Sequence, residues 1–214
     1  MPKWFAPLVM LAAVGFIGSV GLLLFIGMQQ QTVDALEPDP GLEELVFPEF
    51  SLTTHRGEAV DESMLEGGVT ILDFTFTHCP FACPGMNAEM MRMQGMLDGA
   101  DVRYVSITVD PLRDTPERLT EHAAALGNHP DWTFLTGDQA EIERILKQDL
   151  QFDLTEDEEN PITLPDGSVM SNIVHPTRFF LIGPDRQIVS LASYTWPTQV
   201  DELARRARDA ADSL

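Results

Sequence analysis

Residues 69–86 read Val69-Thr70-Ile71-Leu72-Asp73-Phe74-Thr75-Phe76-Thr77-His78-Cys79-Pro80-Phe81-Ala82-Cys83-Pro84-Gly85-Met86. The first seven form a short apolar run that suits a buried strand. From Pro84 to Leu97 the pattern becomes helical, with the proline tolerated in the first turn. A cysteine-bearing turn after an early strand, leading straight into a helix, is the layout of a thioredoxin-like domain.

The alternation continues outward from this stretch. Val102 to Val109 (VRYVSITV) is β-branched and aromatic, a strand. Asp114-Thr115-Pro116-Glu117 is a helix start, with a capping residue, a proline and an acid, and the helix stops near Gly127-Asn128. Trp132 to Leu135 is a short strand, and Asp138 opens a helix to about Lys147. Thr155 to Asn172 is polar and acidic, with turn signals at Asn160-Pro161 and Asp166-Gly167, a loop or exposed hairpin. Thr177 to Ile182 and Gln187 to Leu191 are strands around the turn Gly183-Pro184-Asp185-Arg186, and Thr198 to Ser213 closes as a helix. Strands alternating with helices, then a hairpin and a last helix, predict an α/β fold with a mixed sheet.

The 214 residues carry 34 acidic and 13 basic side chains, a formal charge of −21. So negative a surface repels phosphate backbones and excludes nucleic acid as a partner. Abundant acids with only two lysines, Lys3 and Lys147, also fit a protein adapted to high salt.

From Trp4 to Met28 no side chain is charged and nearly all are apolar. A helix of that length spans about 37 Å, more than the roughly 30 Å of a bilayer core. Lys3 precedes the run and acids follow it, so the positive-inside rule exports everything downstream. The competing reading is a cleaved signal peptide, but the run exceeds the usual apolar core of one and no small-x-small site follows. The expected organisation is a short tail and membrane anchor at 1–28, a polar acidic tether at 29–46 and a folded domain at 47–214. That places a single-pass protein in the inner membrane, its domain on the extracytoplasmic side.

Exported chains meet an oxidising environment, where Cys79 and Cys83 can exist as a disulfide. They lie too close together to staple a fold, so their role is local. Residues i and i+4 share one face of a helical turn, so both sulfurs can converge on one ion. A helix N-terminus favours the thiolate, and thiolates select Cu(I), zinc or iron–sulfur clusters. Zinc usually wants four ligands, whereas Cu(I) accepts two or three. Of the five histidines, His55, His122 and His129 are expected at the surface. His78 adjoins Cys79, but neighbours near a strand end tend to point apart. In a thioredoxin-like topology the turn before the strand at 177 lies beside the cysteine turn, which makes His175 the best third ligand. Spacing alone leaves an ordinary loop histidine open. Met86, Met90 and Met93 repeat at i, i+4 and i+7, read first as a helix face packed on the sheet rather than as copper ligands.

At these residues the chain resembles the Sco/SenC family of membrane-anchored copper chaperones. Cys79-Pro80-Phe81-Ala82-Cys83-Pro84 fits that family's Cys-Pro-x-x-Cys-Pro motif. Val109-Asp110-Pro111-Leu112-Arg113-Asp114-Thr115-Pro116 is similar to its second segment. His175, followed by Phe179-Phe180-Leu181-Ile182, resembles its distal histidine and strand. Two positions depart: Pro176 stands where a serine is common, and Gly85-Met86 where an acid is. The resemblance implies a thioredoxin-like fold and copper, Cu(I) or Cu(II), held by Cys79, Cys83 and His175. It further implies a role in building the dinuclear copper site of cytochrome c oxidase subunit II. Asp110, Arg113 and Asp114 match as well and read as a turn and helix cap. The alternative function is a thiol–disulfide oxidoreductase, with Cys79 and Cys83 as the catalytic pair, that reduces a partner's copper ligands. The acidic composition predicts that the protein unfolds at a higher temperature in molar salt than in dilute buffer; equal melting temperatures in the two would remove the high-salt reading.

Overall fold

Every residue of strand β3 (Val69–Thr75) is buried, as a continuous apolar run requires of a central strand covered on both faces. The computed structural model describes residues 35–214, so the expected anchor at 1–28 and the tether to residue 34 lie outside the described residues. Among the described residues no helix is long and apolar enough to cross a membrane.

β3 leads into helix α1 (Cys83–Met96), strand β4 (Val102–Thr108), helix α2 (Pro116–Ala125) and strand β5 (Trp132–Thr136). β3, β4 and β5 pair in parallel, the consequence of two successive helical crossovers. After helix α3 (Gln139–Glu143), whose last turn widens to π geometry over Arg144–Asp149, strands β6 (Thr155–Thr163) and β7 (Val169–Val174) form a separate two-stranded hairpin. Strands β8 (Arg178–Ile182) and β9 (Ile188–Ser193) return antiparallel beside β3, and helix α4 (Pro197–Ala211) packs against β9, β3 and α1. The alternation read from sequence is present, and the sheet is mixed.

Helix α1 buries Met86, Met90 and Met93 completely, so the i, i+4, i+7 methionines are core residues of a helix seated on the sheet. Thr115 caps α2, its side chain accepting from the Arg118 amide, with Pro116 next as a pre-set first helical residue.

Two features depart from the sequence reading. Strands β1 (Ser51–Thr54) and β2 (Ala59–Asp61) form a hairpin on the far edge, β1 pairing with β5. These strands are short and polar, with too few residues for a period-2 signal. The hairpin buries His55, expected at the surface: it is 5% exposed, its Nδ1 accepts from the Phe134 amide at 3.2 Å, and its ring stands edge-on to Phe134. The second feature concerns residues 39–46, read as the end of the tether. They lie along the open edge of β9. The Asp39 amide donates to the Val189 carbonyl (2.8 Å), the Ile188 amide to the Leu45 carbonyl (2.9 Å), and Arg206 pairs with the Asp39 carboxylate at 2.6 Å. An exposed sheet edge is a liability, and this stretch covers it.

Asp73 sits alone in the apolar strand. One carboxyl oxygen accepts from the Ser106 hydroxyl at 2.5 Å, and that hydroxyl also accepts from the Trp132 indole N–H at 2.9 Å. The other oxygen has no partner. Burial pushes Asp73 up to about 6, against a smaller opposing pull from Ser106 and His175. In the unfolded chain the group ionises near pH 3.9, so folding loses stability as pH rises from about 4 to about 6 and does not regain it above. Asp73→Asn is therefore expected to raise stability by about 3 kcal/mol at pH 7–8, with the gain vanishing below about pH 4. Chemical denaturation of parent and variant across that range measures it, and a gain independent of pH would contradict the buried-charge account.

Candidate metal centre

The register of the sheet brings the site together. Thr70 pairs with Ile182, Ile71 with Leu181 and Leu72 with Phe180. Continued toward the cysteine turn, that antiparallel register brings residue 175 level with residue 77. The turn holding Cys79 and the residues entering β8 must therefore meet, although they are far apart in sequence. The β6–β7 hairpin delivers the chain to this point, anchored by buried Ile162 and Met170.

Cys83 Sγ lies 3.7 Å from His175 Nε2. His175 is 7% exposed, its ring edge-on to Phe76 and its Nδ1 3.0 Å from the Pro176 carbonyl oxygen. That carbonyl can only accept, so Nδ1 carries the proton and the Nε2 lone pair faces the sulfur. Pro176, where the chain departs from the Sco/SenC pattern, thus supplies the oxygen that sets the histidine tautomer. A metal at about 2.3 Å from sulfur and 2.0–2.1 Å from nitrogen, with an angle of 110–120°, separates the two donors by about 3.6–3.8 Å. The observed 3.7 Å gap falls within that range. Both cysteines are free thiols. Among the described residues no three His, Cys, Asp or Glu side chains are placed to hold a metal ion together as they stand. Cys79 is the remaining sulfur of the pair, close enough to Cys83 and His175 for both to act on its thiol, and is the third residue that could complete such a donor set.

Helix α1 starts at Cys83 with no side-chain cap. Its free N–H groups favour negative charge on sulfur. The Cys79 thiol is held well below the usual thiol range, first by the hydrogen bond from Cys83, then by His175 and by the amides of Cys83 and Phe81; burial opposes this. Cys83 moves the opposite way, pushed up by the same shared hydrogen bond and by burial. One proton shared by two sulfurs therefore leaves the charge on half-exposed Cys79. Gly85 lets Tyr194 lie against this turn: a Cβ there would meet the Tyr194 ring at 2.8 Å.

Asp114 is not the helix cap expected from sequence, since Thr115 takes that place. Its buried carboxylate reaches back to the cysteine turn. It accepts from the Thr77 amide (3.0 Å), the Thr77 hydroxyl (2.5 Å) and the Thr108 hydroxyl, and Arg118 Nε donates to the same Thr77 oxygen at 3.1 Å. The residue two before Cys79 is thereby tied to both β4 and α2. Asp110 accepts from Arg113 at 3.0 and 3.1 Å, closing the turn before α2. Sequence reasoning missed the reach of Asp114 and the presence of Asp73, although a lone carboxyl inside an apolar strand is a visible signal. His78 places Nδ1 3.3 Å from Thr77 Oγ1. His122, expected at the surface, is half-buried against Asn87 and Phe134, and His129 stands edge-on to Tyr104.

A mixed sheet with a thiol pair at a helix N-terminus and an imidazole beside it defines a thioredoxin-like domain with a soft-metal or redox site. The chain belongs to the SCO1/SenC family, whose model matches residues 39–211. It is 31% identical over 169 residues to a SCO1 protein homolog of Bacillus subtilis, covering 76% of this chain and 81% of that one. The copper-bound ScoI of Arabidopsis thaliana superposes with a TM-score of 0.62 at 27% identity, covering 76% of this chain and 98% of that one. BsSco, a member of the Sco family of cytochrome c oxidase assembly proteins in which a disulfide switch is identified, superposes with a TM-score of 0.62 at 30% identity, covering 82% and 97%. With three other curated relatives the matched segment is shorter and spans only 40% or 47% of their length. The thioredoxin-like architecture expected from the sequence is the one these structures share.

The shared-proton arrangement predicts that Cys79 is alkylated by iodoacetamide at pH values well below the ordinary thiol midpoint of about 8.5, while Cys83 is protected. Cys83→Ala removes the largest cause and moves the Cys79 midpoint upward. Mass spectrometry of each cysteine against pH reads both, and an unchanged midpoint in the variant would exclude the shared hydrogen bond as the cause.

Proposed function

We propose that this protein is a copper metallochaperone that binds one copper ion through Cys79, Cys83 and His175. It delivers that ion to the dinuclear copper site of cytochrome c oxidase subunit II. The observation that carries the reading is the 3.7 Å approach of Cys83 Sγ to an imidazole nitrogen whose opposite nitrogen is already engaged. Family membership supports it, as do the copper in the Arabidopsis relative and the place of BsSco among oxidase assembly proteins.

The donor chemistry suits a cargo rather than a structural ion. Two thiolates and a neutral imidazole leave one net negative charge around Cu(I) and none around Cu(II), so the site can hold either state. Three donors leave room for an incoming ligand, so copper passes by ligand exchange without being released. Oxidation of Cys79 and Cys83 to a disulfide removes both thiolates, so metal binding and thiol redox chemistry are competing states of one pair. In this reading residues 4–28 anchor the domain to the inner membrane, facing the extracytoplasmic side.

A second reading is favoured by the unequal thiols. A half-exposed, acidic Cys79 beside a buried, proton-holding Cys83 is suited to attack a partner's disulfide, which would make the protein a thiol–disulfide oxidoreductase acting on the partner's copper ligands.

Anaerobic copper titration of the reduced protein decides between them. The expected result is one tightly bound copper per chain, lost in Cys79→Ser and Cys83→Ser and weakened at least about tenfold in His175→Ala. Undiminished binding in His175→Ala would remove the third ligand. Reduction of an oxidised partner that survives in that variant would favour the oxidoreductase.

A further inference from the structure

Beside the cysteine pair, helices α1 and α2 stand apart over a cavity of about 300 Å³. Its walls include Cys79, Cys83, Asn87, Met91 and His122. It adjoins a second cavity, of about 490 Å³, whose walls also include Met91 and Leu126 and which reaches His129.

Met91 breaks the pattern of its helix. Met86, Met90 and Met93 are wholly buried, whereas Met91 is 45% exposed on the cavity wall. Core packing explains the first three and leaves the fourth without a packing role. His122 faces the same space. Burial keeps its ring neutral, so a lone pair is free for a metal at neutral pH. Its Nε2 has one weak contact, 3.5 Å to Asn87 Nδ2. Asn87 itself is 6% exposed, yet its Oδ1 has no hydrogen-bond partner. A buried acceptor left unanswered on a cavity wall calls for something in the cavity to answer it. No carboxylate lines the space, so hard divalent ions find no oxygen cage there. A thioether and a neutral imidazole select a soft monovalent cation.

We infer that His122 and Met91 form a second, weaker site for Cu(I), adjacent to Cys79, through which the ion enters or leaves the thiolate pair. A two-donor site is weak by construction, and Cu(I) tolerates two ligands. Asn87 Oδ1 accepts a hydrogen bond from a water on the bound ion. The neighbouring 490 Å³ cavity provides an approach from solvent past Met91. The inference rests on copper being the cargo, and its test separates the two claims.

The full chain, with thiols reduced under anaerobic conditions, is titrated with Ag(I) as the probe, and methionine methyl and histidine ring resonances are followed. The expected result is a tight first equivalent that shifts His175, then a weaker second equivalent that shifts the Met91 methyl and the His122 ring. Met91→Leu, on an exposed position that leaves the core intact, and His122→Gln each weaken the second equivalent at least about tenfold and leave the first unchanged. His175→Ala weakens the first and leaves the second. Failure of that last arm alone overturns the proposed ligand set and not this site. Absence of a second equivalent, an unmoved Met91 methyl, or a second equivalent undiminished in Met91→Leu overturns the site.

Discussion

The antiparallel pairing of β8 on β3 is the constraint from which the site follows. Backbone hydrogen bonds set its register at Thr70–Ile182, Ile71–Leu181 and Leu72–Phe180. A slip of one residue would exchange the two buried faces of β8, carrying Phe180 and Ile182 away from the neighbours they fit and Phe179 and Leu181 into their place, so packing on both faces holds the register together with the hydrogen bonds. With the register held, the end of β3 and the entry to β8 have no freedom to separate. Cys83 and His175, 92 residues apart, then stand 3.7 Å from each other.

Around that meeting point, fine positioning comes from polar groups buried with their partners. The Pro176 carbonyl selects which imidazole nitrogen faces the sulfur, and the Asp114 carboxylate holds Thr77 to β4 and α2. Buried charges of this kind cost desolvation and repay it only when every lone pair is used. Asp114 meets three donors, whereas Asp73 keeps one oxygen bare and holds its proton to higher pH instead. The same logic divides the cysteines, since one proton between two sulfurs leaves the thiolate on the residue nearer solvent.

Much of the architecture was legible because its signals are local. The run VTILDFT, the Thr115-Pro116 helix start and the turn at 183–186 each lie within a few residues of the structure they specify. The methionine spacing in α1 likewise foretold a buried face. The β1–β2 hairpin was not legible, because its strands are too short to show alternation. The burial of His55 depends on that hairpin and was hidden with it. Residues 39–46 looked like tether because Pro38, Pro40 and Gly41 carry no periodicity; their order comes from the unpaired edge of β9.

The sequence by itself determined the thiol pair, its place at a helix N-terminus, the alternation of strands and helices, and a strongly negative net charge. Those properties belong to residue types and short spacings, which the chain carries whether folded or not. Only the tertiary structure decided which histidine meets the sulfurs, which of its nitrogens is free, and which side chains flank the pair. It also reassigned Asp114 from a helix cap to a clamp on the cysteine turn. Each of these turns on contacts between segments far apart in the chain, and such contacts exist only once the sheet has set its register.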